Sequence, residues 1–412
     1  MKSKICLFLL IFTFCSSIAA AQTAALSGRI TPQQPNVDVS SIEVFAVNTT
    51  TGEVSRTMTN AQGLYTFPTL ATGVIQQISP AREGYGFSPA VRLVSHNGAS
   101  VNIDFIAATL ASAQQTANDF DGDDKSDISV FRPSNGTWYV SPSSEEDPDN
   151  LAAPQAFRSV QWGLPTDRAT PADFDGDGKT DFAVWRASDQ DNPNRSYFYI
   201  LQSSNNSVRV EQFGSPGDLP FLVGDWDGDA KADPAVYRGG TQANPQSYFF
   251  YRPSASPGVD FRTVYWGTAD DKPMRGDFDG DGKLDAAVFR PSDRVWYILQ
   301  SSNNQLRAAH WGLPTDKFVP ADYDGDAKTD LAVFRNGTWY IRQSSDNQPR
   351  YVYWGASADK PVPADYDGDG ATDVAVNRNG VWYLLESASG QMRVAQFGLE
   401  TDAPLQAAGF SD

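Results

Sequence analysis

Asp277-Phe-Asp-Gly-Asp-Gly-Lys-Leu-Asp285, followed at once by Ala286-Ala-Val-Phe-Arg290, decides how the rest of the chain is read. Carboxylates on alternate residues of a tight loop converge on one point, and an apolar run leaves that point as a strand. The nonapeptide D-x-D-G-D-x-x-x-D occurs six times, beginning at Asp119, Asp173, Asp225, Asp277, Asp322 and Asp365. Successive copies lie 54, 52, 52, 45 and 43 residues apart. Self-similarity at a fixed period is the signature of a repeat architecture.

Working outward from each loop, the same grammar returns. An apolar run ends in Arg, as in Ile128–Arg132, Phe182–Arg186 and Leu331–Arg335. An aromatic strand comes next (Trp138-Tyr139, Trp296-Tyr297, Trp339-Tyr340, Trp382-Tyr383). A further strand closes on Trp-Gly or Phe-Gly at Gly163, Gly214, Gly267, Gly312, Gly355 and Gly398, and a short segment such as Pro361-Val-Pro-Ala364 leads into the next loop. With that leading segment as strand A, each repeat holds four short strands, A to D, the pattern of a propeller blade. Asn-Gly at 135–136, 336–337 and 379–380 predicts tight turns between strands B and C. The matched aromatics are read as packing between blades, and the Arg ending strand B as the partner of a nearby Asp. The fold class is therefore all-β: a β-propeller of six blades, with seven as the alternative count, behind an N-terminal immunoglobulin-like β-sandwich. Pro404–Phe410 resembles one more strand A without its loop and is expected to close the ring on the first blade, since an unpaired edge invites aggregation.

The acidic loops carry the chemistry. The candidate metal ligands are Asp119, Asp121, Asp123 and Asp127; Asp173, Asp175, Asp177 and Asp181; Asp225, Asp227, Asp229 and Asp233; Asp277, Asp279, Asp281 and Asp285; Asp322, Asp324, Asp326 and Asp330; and Asp365, Asp367, Asp369 and Asp373. These are 24 of the chain's 50 acidic residues, and without a cation four like charges so close would repel strongly. The chain holds only two Cys and two His, so the ligand set is all oxygen and favours Ca²⁺ over Zn²⁺ or Cu²⁺. Mg²⁺ rarely uses an all-protein carboxylate cage. Loss of Lys2 and Lys4 with an export signal would take the net charge from -18 to -20, and six divalent ions would return it to -8.

Loop, Ala-Val-Phe-Arg strand and Trp-Gly strand recur in the same order, and in this the chain resembles the FG-GAP/VCBS repeat family over roughly residues 115 to 412. The best-known members of that family include the propellers of integrin α-chains. The resemblance implies a β-propeller with Ca²⁺ in each A–B loop, held by side chains at positions 1, 3, 5 and 9. It also implies a main-chain carbonyl ligand at position 7 (Lys179, Lys283, Ala371 and their counterparts). Family loops usually carry Gly at position 6. Gly178, Gly282 and Gly370 match, whereas Asp124, Ala230 and Ala327 do not. A positive φ there costs more for a residue with a Cβ, so tighter binding is expected in the second, fourth and sixth loops. Arg275-Gly276-Asp277 spells an integrin-recognition tripeptide, but Asp277 is position 1 of a metal loop and is not expected to reach a receptor.

The rest of the chain follows a different grammar. Met-Lys-Ser-Lys, an apolar run from Ile5 to Phe14 and Ala19-Ala-Ala21 read as a secretory signal peptide over 1–21, cleaved after Ala21. Cys6 and Cys15 would leave with it, so no disulfide or thiol ligand is expected in the mature chain. Residues 22–107 show alternating segments at Ile42–Val47, Gly63–Phe67 and Val101–Phe105, the reading of a small antiparallel sandwich. Ser27-Gly-Arg-Ile30, Asn60–Phe67 and Gly84–Pro89 resemble the carboxypeptidase-regulatory-like, immunoglobulin-like modules of secreted bacterial proteins. That resemblance implies a spacer or adhesive module. His96 is read as a solvated turn residue, and 108–117 as a linker before the repeats at 118–412.

Catalytic readings find little support. His310 stands where the other repeats have Gln161, Gln212, Tyr265, Tyr353 and Gln396, which marks it as a surface variant, and no phosphate-binding Gly loop is present. The acidity argues against nucleic acid, and no run suggests membrane insertion. The expected function is a secreted or cell-surface, non-enzymatic, calcium-binding propeller that recognises glycan or protein ligands in adhesion. The alternatives are a calcium-dependent polysaccharide lyase or hydrolase, and a structural surface spacer.

Overall fold

A computed structural model describes residues 23–32, 38–82, 85–88, 92–97, 102–109, 116–145, 157–188, 193–255 and 260–405. The expected signal peptide lies outside the described residues. The chain divides into two compact units, Met1–Leu110 and Ala111–Asp412. Both are built from strands, and among the described residues no helix is long and apolar enough to cross a membrane.

The first unit packs two four-stranded sheets on one apolar core. One sheet orders Leu64–Ala71, Thr23–Pro32, Phe105–Thr109 and Tyr85–Ser88; the other orders Val54–Met58, Glu43–Asn48, Val74–Ala81 and Arg92–His96. Alternation at period two places Leu26, Ile30, Val44, Ala46, Tyr65, Phe67 and Ile78 inside. Three expectations need correction. The unit is not wholly antiparallel, because Thr23–Pro32 and Phe105–Thr109 pair in parallel. Strand Phe105–Thr109 begins where Val101–Phe105 was expected to end and runs two residues into the expected linker; 110–115 lie outside the described residues. His96 is not solvated: alternation along Arg92–His96 turns it inward to 0% exposure, with Nε2 3.1 Å from Ala24 O. Gly28 is where the chain can tolerate only glycine, since a Cβ there would lie 1.9 Å from Ile103 O.

In the second unit six sheets follow the six repeats. Five have four strands, for example Lys272–Met274, Ala286–Arg290, Val295–Leu299 and Leu306–His310 as A to D of the fourth. The third keeps Ala235–Arg238, Gln246–Tyr251 and Arg262–Thr268, and its strand A is reduced to one bridge, Leu219 to Tyr237. The first sheet borrows its strand A from the other end of the chain: Ala403 and Pro404 pair with Phe131 and Val130. That strand starts one residue earlier than expected, and 406–410 lie outside the described residues. Asn-Gly at 336–337 and 379–380 closes strands B and C with φ positive at both residues, whereas at 135–136 only Gly136 is left-handed.

Tryptophans join neighbouring sheets as well as filling them. Trp138, Trp296, Trp339 and Trp382 on strands C are fully buried, each donating Nε1–H to the carbonyl ahead of a strand-D glycine. Trp162, Trp266, Trp311 and Trp354 reach onward, donating to Tyr199, Tyr297, Tyr340 and Tyr383 carbonyls in the next sheet at 3.0–3.1 Å.

At the B–C end every sheet carries a bidentate ion pair: Arg186–Asp167, Arg238–Asp218, Arg290–Asp271, Arg335–Asp316, Arg378–Asp359 and Arg132–Asp402. The last spans the two ends of the repeat region. Each Asp also caps its own turn, as in Ala356 N–H to Asp359 Oδ2 at 2.7 Å, and each guanidinium lies over an aromatic ring at 4.2–5.0 Å. Burial alone would raise the carboxyls of Asp359 and Asp402, but the hydrogen bonds and charges of Arg378 and Arg132 outweigh it and hold both below the usual range. A depressed folded value stabilises above the unfolded pKa of about 3.9 and is lost as pH falls through the folded value. Asp359→Asn and Asp402→Asn should each lose about 1–3 kcal/mol in urea unfolding at pH 7. The difference from wild type should begin to shrink as pH falls below about 4 and vanish once pH is below the depressed folded value, and a pH-independent difference would show that the ion pair is not its source.

Candidate metal centres

Each acidic loop is wound around its first carboxylate. In the fourth, Asp277 accepts Gly280 N–H at 2.6 Å on Oδ1 and Gly282 N–H at 2.8 Å on Oδ2, while Asp285 Oδ2 accepts Phe278 N–H at 2.8 Å. The position 9 bond to position 2 recurs in all six loops. Position 4 is glycine in every copy, with φ between 72° and 87°. Position 6 is left-handed in every copy as well: 86–87° at Gly178, Gly282 and Gly370, and 64–66° at Asp124, Ala230 and Ala327. The three loops lacking glycine therefore close as the others do, and carry the steric cost of a Cβ in that conformation.

The winding brings positions 1, 3 and 9 together. Oxygens of Asp119, Asp121 and Asp127 lie within 4.8 Å of one another, as do those of Asp173, Asp175 and Asp181, of Asp277, Asp279 and Asp285, and of Asp322, Asp324 and Asp330. In the third loop the group is Asp225, Asp227 and Asp229. Position 5 elsewhere turns to the loop edge, where Asp281 Oδ1 accepts Lys283 N–H and the Ser301 hydroxyl. In the sixth loop Asp365 binds Gly368 and Gly370 N–H as its counterparts do, and Ala371 O at position 7 accepts the Ser387 hydroxyl at 3.5 Å.

Two observations test these groups as cation sites. Oδ1 of Asp121, Asp175, Asp227, Asp279 and Asp324, position 3 of five loops, is buried without a hydrogen-bond partner. Burial first, and neighbouring carboxylates second, push Asp127, Asp233, Asp277, Asp322, Asp330 and Asp373 up to about 7, and Asp119, Asp181, Asp285 and Asp365 to about 6, against the N–H bonds they accept. Bare oxygens and carboxyls that resist ionisation are what a missing positive charge leaves behind. The all-oxygen donor set fits a hard cation.

Some functional contacts escaped the sequence reading. After each strand C a serine N–H binds the position 9 carboxylate at 2.6–2.7 Å: Ser143, Ser203, Ser254, Ser301, Ser344 and Ser387. Their hydroxyls bind position 5. The recurrent Ser-Ser at 143–144, 203–204, 301–302 and 344–345 was the available signal. Equally unforeseen, the loops hold one another. The position 8 N–H of each donates to the position 1 carbonyl of the loop before it, at 2.6–2.7 Å: Thr180 to Asp119, Ala232 to Asp173, Leu284 to Asp225, Thr329 to Asp277, Thr372 to Asp322, and Ser126 to Asp365. The sixth bond closes a circle. In five of the six loops a lysine stem covers the position 4 glycine of the preceding loop in the same direction, Lys179 over Gly122 and Lys125 over Gly368 among them, while Ala371 lies over Gly325. The Arg275-Gly-Asp277 tripeptide is absorbed here, since Asp277 is 3% exposed and bonded within its loop.

The FG-GAP-like repeat family is matched by residues 277–333, which span the fourth loop and the fifth. No curated protein matches the chain. Among solved structures, TolB from Acinetobacter baumannii is 12% identical, covers 81% of this chain and 80% of its own, and has a TM-score of 0.46. A virginiamycin B lyase from Staphylococcus aureus is 7% identical, with 69% and 88% covered and a TM-score of 0.37. AztD from Citrobacter koseri is 11% identical, with 90% and 99% covered and a TM-score of 0.33. Likenesses of this degree carry no argument about function.

Because position 6 is left-handed whatever its residue, Ala230→Gly and Ala327→Gly should each stabilise the metal-free protein by about 1 kcal/mol. Thermal unfolding in excess chelator checks this; a neutral or destabilising result would mean that the Cβ is accommodated without strain.

Proposed function

We propose that the repeat region is a six-bladed, calcium-binding β-propeller that recognises glycan or protein ligands outside the cell, behind an immunoglobulin-like spacer and after removal of residues 1–21. The observation that carries this reading is the circle of six acidic loops, each with carboxylate oxygens gathered and, in five, one left bare. Asp side chains at positions 1, 3, 5 and 9 would hold the ions, which neutralise the loops and lock them. The reading is non-enzymatic: the repeated carboxylates are accounted for by metal. Ligands that bind only the folded state stabilise it by mass action. Calcium should therefore raise the melting temperature, with up to six ions bound at the affinity of extracellular modules, Kd about 10⁻⁴–10⁻³ M. An unchanged melting temperature in chelator would remove the metal from the reading.

Recognition is placed at the B–C end of the second and third sheets, opposite the calcium loops. There the chain inserts Ala187–Arg195, of which 189–192 lie outside the described residues, and Gly239–Gln246. The second insertion is ordered by Thr241 N–H to Asn244 O at 2.8 Å and Gly240 N–H to the Ser247 hydroxyl at 2.9 Å. Tyr248 behind it stacks on Phe250 at 5.7 Å and meets Tyr265, which is 68% exposed, edge-on at 5.4 Å. Polar loops on a rigid frame beside exposed aromatic rings suit sugars and peptides alike. A glycan and matrix-protein binding screen, with Ca²⁺ and with chelator, tests this. Shortening both insertions to Asn-Gly should abolish binding without altering calcium-dependent melting, and binding that survives would move the site elsewhere.

A further inference from the structure

A cleft of ≈ 800 Å³ opens between the second and third sheets at the other end, among the acidic loops. One wall is strand Val208–Gln212, the other Arg252, Pro253, Ser254 and Asp260, which follow strand Gln246–Tyr251. Its lining breaks the repeat. Glu211 pairs across from Phe198, where Ala309 and Ala395 pair with the corresponding tryptophans of the fourth and sixth sheets. In register with the pairing of strands B and C, Arg252 stands where the second, fourth and sixth repeats place Leu201, Leu299 and Leu385 and the fifth places Arg342.

These departures make one joined group across two sheets. Glu211 takes a short ion pair from Arg209 on one side and Arg252 Nη1 at 3.4 Å on the other. Arg209 also reaches Phe174 O at 3.3 Å, at position 2 of the second acidic loop. Arg252 is held further by Asp260, through its carbonyl at 2.9 Å and its carboxylate at 3.4 Å, with the guanidinium 5.2 Å from the Phe213 ring centre. Both arginine side chains remain 28% exposed and Glu211 13%.

We propose that this cleft is a binding site for a neutral oligosaccharide; the proposal rests on the recognition reading and gives it a second, separate location. Fixed guanidinium and carboxylate planes cost little to order when a ligand arrives. A guanidinium has more N–H donors than the three Arg252 uses, and carboxylates keep lone pairs free, so adjacent hydroxyls can donate to one and accept from the other. Gln202 and Lys231 add further polar groups at the walls. The charges nearly cancel within the cleft, leaving no net field to draw an anion. An acidic ligand would have to displace Glu211 from its arginines, beside Asp175, on a chain of net charge -18. An apolar ligand would strand these polar groups.

The test returns the site to the residues of the fourth and sixth repeats: Glu211→Ala with Arg252→Leu, and Arg252→Leu alone. Arg209 would then stand as Arg307 does, beside an alanine. Neutral oligosaccharides, uronate oligosaccharides and extended peptides are titrated calorimetrically in saturating Ca²⁺, with wild type, these variants and the protein with shortened B–C insertions. The expected result is binding of a neutral oligosaccharide that falls about tenfold or more in the double variant, survives loop shortening, and leaves the melting temperature unchanged. Preference for uronates or peptides, or full binding by the double variant, overturns the cleft. Loss on loop shortening alone overturns it as well while keeping recognition at the B–C end. Absence of any binding in these titrations and in the glycan and matrix-protein screen overturns recognition itself.

Discussion

The second unit depends on the hydrogen bond from position 8 of one acidic loop to the position 1 carbonyl of the loop before it. Each such residue has two duties. Its carboxylate winds its own loop by accepting the N–H groups of positions 4 and 6, and its carbonyl anchors the next loop. Local winding and ring geometry therefore cannot vary independently. A loop that failed to close would misplace its position 1 carbonyl and loosen its neighbour. Glycine at position 4 meets the same two demands, a left-handed turn and, in five of the six loops, room for the lysine stem of the following loop. Because Ser126 returns the last bond to Asp365, no loop is left at an end.

Closure is made separately at the two ends of the sheets, by different chemistry. At one end it is backbone hydrogen bonding between loops whose carboxylates crowd together. At the other it is the bidentate pairing of Arg132 with Asp402, seconded by Ala403 and Pro404 on the first sheet. The acidic end gathers carboxyls that burial and like charge leave reluctant to ionise alone, a donor set suited to cations. The Arg–Asp end is self-neutralised and needs no ion. Between them the tryptophan N–H groups tie sheet to sheet through the interior.

Repetition made most of this legible from the residues. Six registered loops disclosed the strand order, the tight turns and the converging carboxylates, because each physical requirement was printed six times. What stayed hidden lies in relations between copies. Ser301 and its counterparts fall some twenty residues from the carboxylates they serve, in a Ser-Ser pair that reads as an ordinary turn. The position 8 bonds involve backbone groups, which leave no side-chain trace. Arg132 was expected to pair with a nearby Asp, yet only ring closure brings Asp402 to it. In the first unit, where nothing repeats, His96 was misplaced because His-Asn-Gly has the composition of a turn while alternation along its strand turns it inward. The parallel pairing of Thr23–Pro32 with Phe105–Thr109 was equally unreadable, since alternation does not encode strand direction.

A ring so uniformly constrained also makes its exceptions informative. Substitutions that broke the loop circle, the tryptophan ties or the Arg–Asp pairs would be felt by adjacent sheets, which leaves the blade surfaces and outer turns as the places free to differ. Three of those differences gather on the second and third sheets: the lengthened B–C loops, Glu211 held between Arg209 and Arg252, and the strand A reduced to a single bridge at Leu219. Loop lengthening alone costs little stability and can persist without use. A half-buried glutamate held between two arginines is a different matter, because the desolvation of its charge is offset only by keeping both partners in place. The solution of the fourth and sixth repeats, Ala309 with Leu299 and Ala395 with Leu385, is available at the same positions and avoids that cost. Retention of the charged group therefore points to something that the outer wall of these two sheets does beyond holding the ring together.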